Sequence, residues 1–201
     1  MLVRELELLP DFSQSERTKN VVLRSQTNPI AKDIRAGNLR LISKTRGHSI
    51  YLDGANDGWV ANARFYAIDD ASDLVVLMVD GQLSNKGNQK VFDINVLQGR
   101  AGSGLKAYQF YRSILLNMPI IFVAEQQSYG GMRTWQELSK YPDIEVFGWL
   151  NGKAINVDPT DQDETHASED DVKTPDGYDR HADRIMRMKL VAHRKIKGRG
   201  R

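Results

Sequence analysis

The chain has 201 residues and not one cysteine. That absence excludes a disulfide framework, a Cys-ligated zinc site and a thiol nucleophile. No apolar run approaches the roughly eighteen residues that a membrane-spanning helix needs. The opening Met1-Leu-Val-Arg-Glu-Leu-Glu also lacks the basic-then-apolar layout of a secretory signal. A cytoplasmic protein with no membrane partner is therefore expected. The four histidines, His48, His166, His181 and His193, show no metal-ligand spacing, so no metal site is assigned. Acid is missing from one whole stretch: after Asp183 none occurs, while Arg184, Arg187, Lys189, Arg194, Lys195, Lys197, Arg199 and Arg201 follow.

What is present describes an ordinary globular chain. With 40% hydrophobic and 27% charged residues, it is long enough to bury one sizeable core. The net charge of +2 averages segments of opposite sign. Asp158–Asp179 is Asp, Glu, Gln, Thr, Ser and Pro with almost nothing apolar, which cannot offset the entropy of ordering and reads as a mobile acidic loop. The expected organisation is an N-terminal segment 1–45 without an assigned structure, a core at 46–157, the acidic loop at 158–180, and a C-terminal strand with a basic tail at 181–201.

Turn chemistry orders the core. Asn28-Pro29 followed by Gly37-Asn38 predicts a short helix over Pro29–Ala36. Ser49–Asp53 and Trp59–Ile68 flank a Gly/Asn/Asp turn and read as a hairpin. Asp69-Asp70 turns the chain into a strand over Leu74–Val79, which Asp80-Gly81 is expected to end. A strand over Lys90–Leu97 completes an antiparallel meander. The helix Leu105–Leu116 is expected to bury Leu105, Tyr108, Tyr111 or Arg112, and Leu115. Ile120–Val123 is continuously apolar, as in a strand covered on both faces. A strand, loop, helix and strand in that order imply a right-handed crossover and parallel strands. The fold class read from this pattern is α/β, more exactly an α+β mixed sheet flanked by helices.

Between strand and helix lies Gln98-Gly-Arg-Ala-Gly-Ser-Gly104, a layout suited to cradling an anion on backbone N–H groups at a helix N-terminus. It is not a P-loop, because Gly104 falls five residues after Gly99 and Leu105 follows it. It is a poor dinucleotide fingerprint, because no second βαβ repeat follows. The loop resembles the acyl-CoA loop of the GNAT acetyltransferase superfamily, Arg/Gln-x-x-Gly-x-Gly/Ala. Arg100 stands one residue nearer to Gly102 than that pattern has it, and Gln98 one farther. The flanking order of elements over about residues 57–156 is similar to the central motif of the superfamily. Ser128-Tyr-Gly-Gly-Met-Arg-Thr-Trp-Gln-Glu-Leu138, Tyr141-Pro142 and Ile144–Gly148 look like GNAT-like proteins encoded by bacteriophages. For a phage protein the compartment would be the host cytoplasm or the virion.

The resemblance implies an acetyl-CoA site with Val96 and Leu97 along the pantetheine arm. It places Gln98, Arg100, Ala101, Gly102, Ser103 and Gly104 at the diphosphate. Gly102 and Gly104 equally suit a plain tight turn. Acetyl transfer to an amine also needs a base and a donor for the leaving thiolate. Asp93 and Asn95 share a strand face; a carboxylate beside Phe92 and Ile94 would be desolvated into a base, or else would serve structure alone. Tyr129 sits close to where many GNAT enzymes carry the tyrosine that protonates the thiolate, and is otherwise a packing residue. Met132, Trp135, Leu138 and Trp149 read as core before pocket. The basic residues Arg194, Lys195, Lys197, Arg199 and Arg201 suit a phosphate backbone or a virion protein, or simply solubilise the chain. Two functions compete: an acetyltransferase acting on an unidentified amine, and a non-catalytic GNAT-fold module associated with virion or nucleic acid.

Overall fold

Runs of alternating burial pair into one sheet. A computed structural model describes residues 29–54, 60–86, 89–100, 102–124, 129–158, 173–174, 177–178 and 188–195. The strands are β1 (Arg40–Thr45), β2 (His48–Asp53), β3 (Val60–Asp69), β4 (Leu74–Lys86), β5 (Gln89–Gly99), β6 (Ile120–Ala124), β7 (Ile144–Leu150), β8 (Lys153–Ile155), β9 (Lys173–Thr174), β10 (Gly177–Tyr178) and β11 (Lys189–Arg194). Residues 29–35 form the helical stretch α1. The other described helices are α2 (Ala107–Asn117) and α3 (Tyr129–Ser139). Nine strands lie in the order β1-β2-β3-β4-β5-β6-β11-β7-β8, and only the β5–β6 neighbours run parallel. The mixed α+β sheet and its antiparallel meander are as expected. Within the acidic stretch, β9 and β10 pair as a separate two-stranded sheet, and the rest of 159–187 lies outside the described residues.

One face of the sheet carries the main core. Phe65, Phe92 and Phe122 from three strands pack together with ring centroids 5.1–6.1 Å apart, Phe122 meets Tyr111 of α2 at 5.0 Å, and Trp135 of α3 closes on Tyr111 at 6.3 Å. Three of these pairs, Phe65–Phe92, Tyr111–Phe122 and Tyr111–Trp135, are edge-to-face, a packing that adds about 0.5–1.5 kcal/mol per pair beyond area burial. On the opposite face Ile30 and Leu39, from α1 and the residues after it, cover Tyr66, Ile68, Val75 and Met78.

Several local expectations change. Strand β4 does not stop at Asp80-Gly81 but continues to Lys86. Gly81 is needed there for close approach, because a Cβ would strike the Asp93 carbonyl and the Phe92 ring. The buried stripe of α2 is Ala107, Phe110, Tyr111, Ile114 and Leu115; Leu105 precedes the helix and Arg112 faces outward to Asp143. In β6, Ile120, Phe122 and Ala124 are buried while Ile121 and Val123 are only half-buried, so one face is less covered than a continuous apolar run suggests. Trp149 is 41% exposed near the sheet edge rather than in the core. Residues 40–45 form the edge strand β1. Strand β11 lies between β6 and β7.

Candidate functional site

The glycine-rich loop sits where the single parallel pair comes apart. Strand β5 matches β6 from Lys90↔Ile120 to Ile94↔Ala124, and among the described residues β5 continues to Gly99 paired with β4 alone. At that point β5 bulges: Asp80 faces Val96 and Gly81 faces Ile94, leaving Asn95 as the extra residue. The bulge resets the alternation, so that Phe92, Ile94 and then Leu97 enter the core. Asn95 and Val96 are both half-buried. Leu97 is fully buried, which leaves its backbone rather than its side chain for a ligand.

The loop then turns on two left-handed glycines. Arg100 N–H donates to the Val76 carbonyl at 2.8 Å and extends the strand by one bond. Gly102 and Gly104 have φ of +73° and +77°, and a Cβ at either would meet nothing within 4 Å. Helix α2 starts directly afterwards. Gln109 reaches back to accept the Lys106 N–H at 3.2 Å, and the first turn presents N–H groups at the positive end of the dipole. Gln98, whose Oε1 is buried, finds no hydrogen-bond donor for that oxygen among the described residues. Ala101 lies outside the described residues.

A contact no spacing announced pins this loop. His48, 5% exposed, opens β2 with its Nδ1 3.0 Å from the Arg46 carbonyl and its Nε2 3.1 Å from the Ser103 carbonyl, 55 residues away. Both partners are acceptors, so the neutral ring satisfies one of them and only the doubly protonated ring donates to both. Asp69 stands 3.8 Å from Nε2. Its carboxylate also accepts Ser72 Oγ and Ser72 N–H at 2.8 Å and Ala71 N–H at 3.0 Å. The two Ser72 bonds lead in drawing its carboxyl below the ordinary value.

The candidate catalytic groups line the opposite face of β5 from Phe92 and Ile94. Asp93 is half-buried, in register with Gln82 of β4 and Val123 of β6. The apolar neighbours expected to desolvate it point the other way. Among the described residues neither Asp93 nor Asn95 has a side-chain hydrogen bond or ion pair. Beside the bulge, Arg64 Nε donates to Asp80 at 2.6 Å, a pair that sequence reading missed because Asp80 looked like a strand end. Burial pushes the neighbouring Tyr66 phenol above its ordinary value, with Arg64 opposing. Tyr129 opens α3, but its side chain lies outside the described residues.

The C-terminal basic residues divide. Arg194 ends β11 and donates from Nη1 to the Leu116 carbonyl at 3.1 Å, and Lys195 N–H donates to the Asp143 carbonyl at 2.9 Å, so both belong to the folded sheet. Lys197, Arg199 and Arg201 lie outside the described residues. No group of His, Asp and Glu among the described residues could hold a metal ion. No described helix is long and apolar enough to cross a membrane. No protein-family model, curated protein or solved structure matches the chain.

Proposed function

We propose that this chain is a GNAT-like protein that binds acetyl-CoA and transfers the acetyl group to an amine. The observation that carries this reading is the parting of β5 from β6 immediately before a loop of two left-handed glycines and a helix start. Among the described residues that arrangement leaves the end of β5 without a partner on its β6 side, for an amide-rich arm. It leaves the N–H groups of the two glycines and the first helical turn for a diphosphate, those of Arg100, Ser103 and Lys106 being bonded within the chain. The antiparallel meander leading into one parallel pair is consistent with a GNAT-like layout. Without cysteine there is no thiol to carry the acetyl group. The amine nitrogen therefore attacks the thioester carbonyl directly, the C–S bond breaks, and the thiolate takes a proton. Asp93, through water, is the candidate to receive the amine proton, Asn95 a candidate to orient it, and Tyr129 the candidate thiolate donor.

Calorimetry and thermal shift with acetyl-CoA and desulfo-CoA test this against Gly102→Glu and Gly104→Glu. Because a side chain at either glycine enters open space, the added carboxylate acts on an anionic ligand more than on packing. At about a hundred times the dissociation constant the wild type should gain roughly 2.7 kcal/mol, and both variants should lose that gain. The second reading is a non-catalytic GNAT-fold module. It is favoured by Asp93 and Asn95, which have no described partner to orient them. Failure of the wild type to bind either CoA compound, with co-purification of nucleic acid or virion protein, would select it.

A further inference from the structure

A second recess, independent of the acetyl-transfer reading, lies outside the glycine loop. It is a cavity of about 230 Å³ in the angle between the β1–β2 turn, the outer face of α2 and Tyr141. Ligand pockets for cofactor-sized molecules begin near 300 Å³, so this one suits a small group. Its walls carry Lys44, Arg46 and Arg112, together with Gln109 and Ser113, and no carboxylate.

The donors are held in place. Arg112 is fixed by Asp143, which accepts from Nη2 at 2.6 Å and from Nε at 3.2 Å, and its guanidinium lies 4.4 Å over the Tyr141 ring. A guanidinium has five N–H donors, so three remain for whatever enters. Ser113 Oγ is anchored to Ser43 Oγ at 2.7 Å, which ties the helix to the edge strand. Among the described residues Lys44 and Arg46 have no ion-pair partner. Asp69 and Asp70, which accept from Ser72 and from Ser49 at 2.6 Å, do not line the recess.

Arg46 adds an independent sign. The two-residue β1–β2 turn puts Arg46 at φ 47° and Gly47 at φ 76°, the paired left-handed geometry that asparagine, aspartate or glycine adopt most readily. An arginine there is a poor choice for the turn and a good one for an anion.

We infer that this recess is an oxyanion site that holds a phosphate group, with Arg112 as its oriented fork and Lys44 and Arg46 as closing cations. The group comes either from a nucleic-acid backbone or from a free phosphate compound. The test uses the full chain. Inorganic phosphate, and separately a ten-nucleotide oligothymidylate, are titrated into wild type, Lys44→Gln and Arg46→Asn, with ¹H–¹⁵N spectra reporting the α2 amides and the Arg112 Nε–H. Saturable shifts at those signals are expected, and each variant should weaken binding by about tenfold, one charge-assisted contact. Arg46→Asn should keep or raise the melting temperature while losing affinity, which separates a site from a folding defect. If the oligonucleotide displaces phosphate, and its log–log salt slope falls by about 0.7 per cation removed, as for a single strand, the source is a nucleic-acid backbone. Saturation by phosphate alone assigns a free phosphate compound. Absence of saturation with both probes, or equal affinity in all three proteins, overturns the inference.

Discussion

At the scale of single residues, glycines with opposite reasons for being glycine give separable predictions. At Gly81 the strand β5 backbone and the Phe92 ring occupy the space a Cβ would need, whereas at Gly102 the space is empty and only the left-handed backbone resists a side chain. Gly81→Ala should therefore destabilise by about 3 kcal/mol, the upper range for overpacking. Gly102→Ala should cost about 1 kcal/mol. At roughly 2–4 °C per kcal/mol for a chain of this size, the first should lower the melting temperature by about 6–12 °C. Equal melting points for the two variants would contradict the close β4–β5 approach. His48 shows what residue-level reading of a sequence cannot reach. A histidine at the head of an apolar strand is visible, but its bond to Ser103 joins positions 55 apart that only folding brings together.

Among elements, the ion pair of Arg112 with Asp143 fastens α2 to the segment entering β7. The hydrogen bond from Arg112 leads in holding the Asp143 carboxyl below its ordinary range, with Arg194 adding a weaker pull. A depressed carboxyl stabilises the fold fully above its unfolded value, about 3.9, and loses that contribution as pH falls through the lower folded value. Acid unfolding of Arg112→Ala should accordingly begin at higher pH than in wild type, with the Asp143 carboxyl titrating nearer its ordinary value by ¹³C NMR. An unchanged titration would mean that the pair does not form in solution. Much of the element order was legible because turn residues announce themselves: the β2–β3 hairpin and the helical stretch after Asn28 fall where Gly, Asn and Pro place them. Strand β1 was not, since an edge strand reading Arg-Leu-Ile-Ser-Lys-Thr has little alternation and leaves Leu41 47% exposed. The α2 stripe was legible in part: Tyr111 and Leu115 are buried as expected and Leu105 is buried just before the helix, while Ala107, Phe110 and Ile114 of the same stripe were not counted and Tyr108 is only half-buried. The glycine loop was legible as a loop; the strand parting and the bulge at Asn95 beside it depend on partners distant in sequence.

For the whole molecule, the sheet is held together through β11. Its residues pair with β6 on one side, Leu190↔Ala124 to His193↔Ile121, and with β7 on the other, Lys189↔Trp149 to Arg194↔Ile144. Leu190, Val191 and Ala192 are buried. A chain ending at Met188 should show no cooperative melting transition by calorimetry, and a peptide spanning residues 188–195 added in trans should restore one. Cooperative melting of the shortened chain without the peptide would show that β6 and β7 can close on each other.

The same placement governs timing. While the polypeptide is being synthesised, β6 and β7 emerge some forty residues or more before the strand that must separate them. Until then each presents an unpaired edge, and the cheapest partner for such an edge is the equivalent strand of another nascent copy. Crowded expression should thus favour exchanged dimers over monomers, and slower translation past Leu150 would lengthen the interval in which that exchange can occur.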